Sequence, residues 1–232
     1  MTNPAPLRID FVSDIACPWC AIGLAGLEQA LVRLKDTVAA EIHLQPFELD
    51  PTTPVAGVNA DEHLKQKYGL DQEQLETSRQ NLRQRAAAVG FVYNVGAQSR
   101  VYNTFAAHRL LHWASLTDAG KALSLKKVLF RAFFTDDENV SDPTVLVRLA
   151  RGAGLDADTA AAVLVGKDYA QEVRAQERHY QHAGIHSVPA TIIDRTYVIA
   201  GGQPPEAFEQ ALRQIADGSA WRQRGPRSEH PQ

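Results

Sequence analysis

The stretch that decides the fold reads LRIDFVSDIACPWC and runs from Leu7 to Cys20. Its first half alternates apolar and polar residues, which predicts a β-strand over residues 7–13. From Pro18 onward the pattern is helical, because apolar side chains recur at intervals of four and three positions. That stripe consists of Cys20, Leu24, Leu27, Leu31, Leu34 and Val38.

Cys17 and Cys20 are the only cysteines among the 232 residues, and they form a C-x-x-C pair. Pro18 suits the first turn of a helix, since its missing N–H would be unpaired there in any case. Cys17 then lies at the helix N-terminus, where unpaired N–H groups and the helix dipole stabilise a thiolate. Cys20 begins the apolar stripe and is predicted to be buried.

This arrangement predicts thiol–disulfide exchange. Cys17 is expected to be the accessible thiol that attacks a disulfide, and Cys20 the thiol that resolves the mixed disulfide. The alternatives are an inert structural pair or half of a zinc site, which would need further ligands. His108 and His112 have the i, i+4 spacing of a metal pair. Without an evident third ligand, surface or packed histidines are favoured, and no metal site is predicted.

Composition and charge exclude several structural and functional classes of protein. With 44% hydrophobic and 22% charged residues, the composition is that of an ordinary globular protein. Its 24 basic and 27 acidic residues leave a net charge of -3 without a basic run, which disfavours nucleic-acid binding. No apolar stretch approaches the ~20 residues of a membrane span, and residues 1–8 lack a signal-peptide pattern. We expect a soluble, cytoplasmic protein that binds neither nucleic acid nor membranes.

The rest of the chain alternates between β, helical and again β patterns. It predicts a strand over 40–49, at least five helices over 61–182, a hairpin over 189–200 and a last helix over 205–216. The order βαβ, helices, ββα is typical of an α/β protein with a thioredoxin-type fold and a large helical insertion domain. The predicted parts are a thioredoxin-like first part (1–50), the helical insertion (51–184), a thioredoxin-like second part (185–218) and a tail (219–232).

Several motifs together carry a family resemblance: DIACPWCAIG (14–23), NT before AHRL (103–110), GIHSVP (184–189) and AGGQPP (200–205). With them the chain resembles the DsbA-like thioredoxin family, in its FrnE-like branch of dithiol–disulfide oxidoreductases and isomerases. The match runs over about residues 7–215. The resemblance implies a redox-active Cys17–Cys20 pair that faces a cis Val188–Pro189 peptide bond. Pro18, Trp19, Val188 and Pro189 are predicted to contact substrate, and for Trp19 an ordinary half-buried tryptophan is an equal alternative.

Two positions depart from the family's pattern. Ser187 stands where the family usually has glycine before Val-Pro, and Phe11 stands where many thioredoxins carry a buried carboxylate, six residues before the first cysteine. Proton transfer from Cys20 is therefore expected to use water or another group. Nearby, Asp14 is interpreted first as a turn residue, and Asn103 as a helix N-cap.

The favoured function is a thiol–disulfide oxidoreductase acting on disulfides or dithiols of proteins or small molecules. It would hold no bound cofactor and would have glutathione as a candidate redox partner. One rival is a glutathione-dependent isomerase or transferase of the 2-hydroxychromene-2-carboxylate isomerase or kappa type, which typically has serine at the position of Cys17 and lacks the second cysteine. The other rival is a non-catalytic holdase. The physiological substrate and the oligomeric state, including a homodimer, stay open.

Overall fold

The structure is a computed structural model that describes residues 6–218, and it confirms the predicted α/β class and thioredoxin-type element order. Residues 1–5 and the predicted tail 219–232 lie outside the described part. The cysteine-bearing region, as we call it, comprises β1 (Leu7–Ser13), α1 (Pro18–Arg33), β2 (Ala40–Pro46), β5 (Ala190–Ile193), β6 (Tyr197–Ala200) and α9 (Pro205–Ala216).

A helical segment separates β2 from β5. It contains seven α-helices and a short two-stranded ribbon, β3–β4, which the sequence did not predict because each strand has only two residues. None of the helices within residues 6–218 is both long and apolar enough to cross a membrane. In chain order the elements of the segment are β3 (Val58–Asn59), α2 (Ala60–Tyr68), α3 (Gln72–Ala88), β4 (Arg100–Val101), α4 (Phe105–Thr117), α5 (Ala119–Phe134), α6 (Pro143–Gly152), α7 (Ala157–Val165) and α8 (Ala170–His182).

The four-stranded sheet has the order β2-β1-β5-β6. β1 pairs in parallel with β2 and antiparallel with β5, and β5 and β6 form the predicted hairpin. β1 is a central strand, and its residues from Ile9 to Ser13 are buried. The chain that leaves β1 therefore carries Cys17 to the middle of one sheet edge.

α1 begins as its sequence predicts. Cys17 is the extended N-cap residue, Pro18 occupies the first turn, and no acidic residue lies in that turn to oppose a thiolate. The helix ends at Arg33, earlier than the apolar stripe predicted, and Val38 is buried beyond it. The predicted strand 40–49 likewise ends early, at Pro46, since the N–H of Leu49 bonds to a carboxylate of the site instead.

α1 packs against α9 and against the loop before it. At Gly202 the approach is so close that a Cβ atom would lie 2.6 Å from the carbonyl oxygen of Trp19. Arg33 and Glu206 form an ion pair of 2.8 Å between the two helices. Three helices of the helical segment, α4, α5 and α8, contact β2. This contact brings side chains of the helical segment toward the cysteines.

Candidate functional site

Cys17 is a free thiol at the helix N-terminus. Its Sγ lies 3.4 Å from the carbonyl oxygen of Val188, to which the thiol donates. The residue is only 3% exposed, which is less than the expected accessible thiol would be. Cys17 does line a cavity, and its access to substrate stays a prediction.

Cys20 lies one turn further along α1, with no exposed surface, as the apolar stripe predicts. Cys17 and Cys20 lie 3.3 Å apart. Burial raises the pKa of the Cys20 thiol well above its ordinary value, and its hydrogen bond to Cys17 adds to that effect. The charge of Lys126 acts in the opposite direction. Cys20 is thus a protonated thiol held within reach of Cys17.

The remaining predicted site residues lie around this pair. The Val188–Pro189 peptide bond is cis, and Pro189 is buried. A Cβ atom on Gly23 would lie 3.1 Å from Pro189 Cγ, so this loop packs directly on α1. Trp19 is 37% exposed, and Pro18, Trp19 and Val188 line the same cavity as Cys17. The structure brings the six residues together, and their roles toward substrate stay a prediction.

Asp14 makes the predicted turn, and its side chain also connects that turn to other elements. Its carboxylate accepts from the N–H of Ala16 at 3.2 Å, and its carbonyl oxygen accepts from the N–H of Cys17 at 3.3 Å. The side chain is 2% exposed and also accepts from the N–H of Leu49 at 2.7 Å and from Thr104 Oγ1 at 2.8 Å. The loop before the cysteines is therefore fixed to both the sheet and the helical segment.

His108 completes this cluster, with Nε2 3.4 Å from Asp14 Oδ1. Burial acts to raise the pKa of Asp14, but the contact with His108 and the hydrogen bonds from Leu49 and Thr104 lower it overall. Asp14 is consequently an ionised carboxylate a few residues from the cysteines. Sequence reasoning underestimated it because its partners lie 35 to 94 positions away.

Among residues 6–218 no cluster of three or more potential metal ligands occurs, around this histidine pair or elsewhere. His108 is packed, as favoured, and the ring of His112 lies 5.3 Å from that of Tyr169. Asn103 is not the N-cap of α4, which is Thr104. Asn103 instead accepts from the N–H of Phe105 at 3.0 Å, which leaves the Thr104 hydroxyl free for Asp14.

Two features of the site were missed from the sequence. The first is Lys126 on α5, which is 1% exposed. Burial lowers the pKa of Lys126 to about 8, while the charges of Cys20, Asp14 and Cys17 act to raise it. Its signal was present in the pattern, since a lysine stands on the apolar face of α5 four residues after Ala122 and four before Phe130.

The second missed feature is a buried acidic pair. Glu48 and Glu177 share one cation, Arg174, whose guanidinium also lies 3.8 Å from the ring centroid of Phe105. Burial and the charge of Glu177 raise the pKa of Glu48 to about 7. Since Glu48 adjoins Leu49, this cluster joins the Asp14 loop to α8.

A cavity of about 500 Å³ opens beside Cys17. This size is within the range of small-molecule sites. Its walls are mostly apolar and come largely from the helical segment, while His63, Lys67, Arg100 and His186 add polar groups. The apolar and aromatic wall includes Leu64, Leu82, Tyr93, Val95, Phe133 and Phe134.

Comparison with known proteins agrees with this geometry. A family model for the DSBA-like thioredoxin domain matches residues 8–213. Uncharacterized protein YwbO of Bacillus subtilis is 30% identical over 207 residues, which are 89% of this chain and 96% of that protein. The crystal structure of a probable DsbA oxidoreductase from Streptomyces coelicolor is similar at 39% identity and a TM-score of 0.83, over 93% of this chain and 92% of that one.

A more distant structure shares the fold alone. It is the cytosolic disulfide reductase DsbM of Pseudomonas aeruginosa with GSH, at 16% identity and a TM-score of 0.63, over 90% of this chain and 99% of that one. The matched family model runs from the second residue of β1 into α9 and includes both cysteines. The chain therefore belongs to the DsbA-like thioredoxin family.

Proposed function

We propose that this chain is a thiol–disulfide oxidoreductase of the FrnE-like branch, with Cys17 as the attacking thiol and Cys20 as the resolving thiol. The observation that carries the proposal is that the two cysteines differ in position and in exposure. Cys17 lies at a helix N-terminus and lines a cavity, while Cys20 lies 3.3 Å away with no exposed surface. A substrate disulfide can reach only the first thiol, and the second can reach only the first.

The exchange proceeds in two steps. The Cys17 thiolate attacks one sulfur of the substrate disulfide, forms a mixed disulfide and releases the other sulfur as a thiolate. Cys20 then attacks the Cys17 sulfur, so that the Cys17–Cys20 disulfide forms and the second substrate sulfur leaves. The substrate is reduced by two electrons and the cysteine pair is oxidised by two.

The substrate would approach Cys17 through the apolar cavity, passing Trp19 and Val188. We take disulfides or dithiols with an apolar portion as the substrate class, since most of the cavity wall is apolar. Glutathione is the proposed redox partner that returns the pair to the dithiol. The fold shared with a disulfide reductase solved with GSH supports this choice. In a reducing cytoplasm the pair would rest as the dithiol.

The test compares wild type with Cys17→Ser, Cys20→Ser and the double serine variant. Reduced wild type should reduce oxidised glutathione or insulin and form one internal disulfide per disulfide consumed. Cys17→Ser should lose this activity, and Cys20→Ser should accumulate mixed disulfides. Undiminished reduction by the double variant would refute the proposal.

The same variants separate the two rivals. A glutathione-dependent isomerase would keep its turnover in Cys20→Ser, because its chemistry uses no resolving thiol. A holdase would suppress aggregation of a client protein with both cysteines replaced.

A further inference from the structure

The cavity that Cys17 lines is bounded by exposed and by buried side chains, so it opens to solvent and also reaches the interior. Trp19 and Tyr68 are exposed and form what we call the rim. Tyr93, Phe133 and Phe134 are buried and form what we call the aromatic wall. Cys17 is buried as well, so the reacting thiol is recessed from the protein surface.

The aromatic wall is built of rings that pack on one another. The ring centroids of Phe133 and Phe134 lie 4.7 Å apart in an edge-to-face contact, and those of Tyr93 and Phe134 lie 5.8 Å apart. Tyr102, which also lines the cavity, contacts Phe133 edge to face at 6.4 Å. Because each ring is held by another, the wall is preorganised and can bind an apolar group with little loss of side-chain freedom.

The charged side chains around the cavity do not favour an anionic ligand. Lys67 Nζ already donates to the carbonyl oxygen of Leu49 at 3.2 Å, and Arg100 Nη2 to that of Gly57 at 2.7 Å. Among the lining residues within 6–218, these two cations are accompanied by three carboxylates, those of Asp14, Asp50 and Asp137. The cavity therefore suits an uncharged ligand.

The size of the cavity limits the ligand further. A volume of about 500 Å³ is that of a small-molecule site. A disulfide within a protein is flanked by two chains whose Cα atoms lie only about 4.4 to 6.8 Å apart. These chains would meet the rim at Trp19 and Tyr68 before the disulfide reached Cys17. A low-molecular-weight disulfide can instead enter with one of its two organic groups.

We propose that the substrate is an uncharged low-molecular-weight disulfide whose apolar group lies against the aromatic wall, and that disulfides of folded proteins are excluded. This inference rests on the proposed exchange function and narrows its substrate class. Cys17 attacks one sulfur, the bond between the two substrate sulfurs breaks, and Cys20 then displaces the remaining substrate sulfur from Cys17. Two substrate thiols and the Cys17–Cys20 disulfide result, and the two thiol protons of the pair pass through solvent to the two products.

The experiment compares three disulfides with the reduced protein. Dipropyl disulfide and bis(2-hydroxyethyl) disulfide differ only by a methyl or a hydroxyl group at each end, and insulin supplies protein disulfides. Formation of the internal disulfide is followed by acid quench and mass spectrometry. Each rate constant is divided by that of dithiothreitol with the same disulfide, which removes differences in intrinsic reactivity.

Wild type should prefer dipropyl disulfide to its hydroxyl analogue by at least about tenfold. The aromatic wall gives the terminal methyl group apolar contact, whereas a hydroxyl group buried there would lose its hydrogen bonds to water. Insulin should react at least about tenfold more slowly than dipropyl disulfide, because the rim keeps its chains away from Cys17.

Two substitutions reduce the space in front of the aromatic wall. Leu64→Trp and Val95→Trp each enlarge a half-buried side chain of the lining, and the preference for dipropyl disulfide should fall below about threefold in both. Leu116→Trp is the control, since it adds the same ring at an exposed position of α4 outside this cavity, and should keep the wild-type preference. The ratio of two rates cancels any general change in the reactivity of Cys17, and circular dichroism confirms that each variant is folded.

Each part of the inference can be overturned. Equal normalised rates of wild type with the two small disulfides would exclude an apolar site, and a preference that survives in both lining variants would show that the aromatic wall does not supply it. Insulin reduced as fast as dipropyl disulfide would exclude the selection by size. If wild type reduces none of the three disulfides and no oxidised glutathione, the proposed function itself fails, and that outcome differs from reduction without preference.

Discussion

The cysteine-bearing region and the helical segment supply different parts of one site. The first supplies the two sulfur atoms, a helix N-terminus and the carbonyl group of Val188, all set by the local chain or by backbone pairing. The second supplies Thr104, His108 and Lys126, together with most of the cavity wall. The sulfur chemistry is thus encoded locally, whereas the buried polar side chains of the helical segment come from distant positions in the sequence.

The two regions should also differ in how they contribute to the stability of the fold. Backbone groups at a helix N-terminus stabilise an anion without any buried charge of their own. A buried lysine or carboxylate must instead be compensated by partners, and its removal changes the stability of the whole fold. Substitutions in the two regions should therefore have distinguishable effects on stability and on its dependence on pH.

The largest effect is expected at the junction of the two regions. Asp14→Ala leaves the N–H of Leu49 and the hydroxyl of Thr104 without their buried acceptor, so we expect a loss of about 3–5 kcal/mol in the free energy of unfolding. Urea denaturation at pH 7 measures it. Since the fold lowers the pKa of Asp14, this contribution is present above its ordinary pKa and is lost as the pH falls through the lowered value. A loss below about 1 kcal/mol would mean that the two regions do not depend on this carboxylate.

The next effect has the opposite sign. Lys126→Met removes a buried ammonium group, so the variant should be more stable than wild type at pH 7 by roughly 3 kcal/mol. The folded-state pKa of about 8 is below the ordinary value of 10.5. Wild type therefore carries the full penalty below pH 8 and regains stability as the pH rises toward the ordinary pKa. If the denaturation curves of the two proteins stay equally far apart across this range, the fold does not lower the pKa of Lys126.

Much of the cysteine-bearing region could be predicted from its sequence. The strand, the N-cap at Cys17, the burial of Cys20 and the hairpin depend on periods of two and 3.6 and on residues such as Pro18 with one local preference. The partners of Asp14 could not be predicted in this way. They follow from packing between elements far apart in the chain, which a single sequence does not record.

A smaller effect tests the cysteine-bearing region alone. Gly202→Ala would place a methyl group 2.6 Å from the carbonyl oxygen of Trp19, and backbone cannot move as cheaply as a flexible side chain. We expect a loss of about 1–3 kcal/mol, with the shape of the pH dependence unchanged. Gly152→Ala is the matched control, because nothing lies within 4 Å of its added Cβ atom. Equal effects of the two substitutions would show that the close approach at Trp19 does not constrain the start of α1.

The last effect is expected as a slope against pH rather than as a fixed change. Glu48 and Glu177 share Arg174, and the fold raises the pKa of Glu48 from 4.5 to about 7. Between these values the folded state binds more protons than the unfolded state, so wild type should lose stability as the pH rises, by at most about 1.4 kcal/mol per pH unit.

Glu48→Gln imitates the protonated acid and leaves Glu177 to pair with Arg174 alone. Its free energy of unfolding should therefore vary less between pH 4.5 and about 7, so that the variant becomes progressively more stable than wild type. Glu41→Gln, on the exposed edge of β2, is the control and should run parallel to wild type. If Glu48→Gln also runs parallel, the fold does not raise the pKa of Glu48, and the contact between α8 and the Asp14 loop is held by packing rather than by charge.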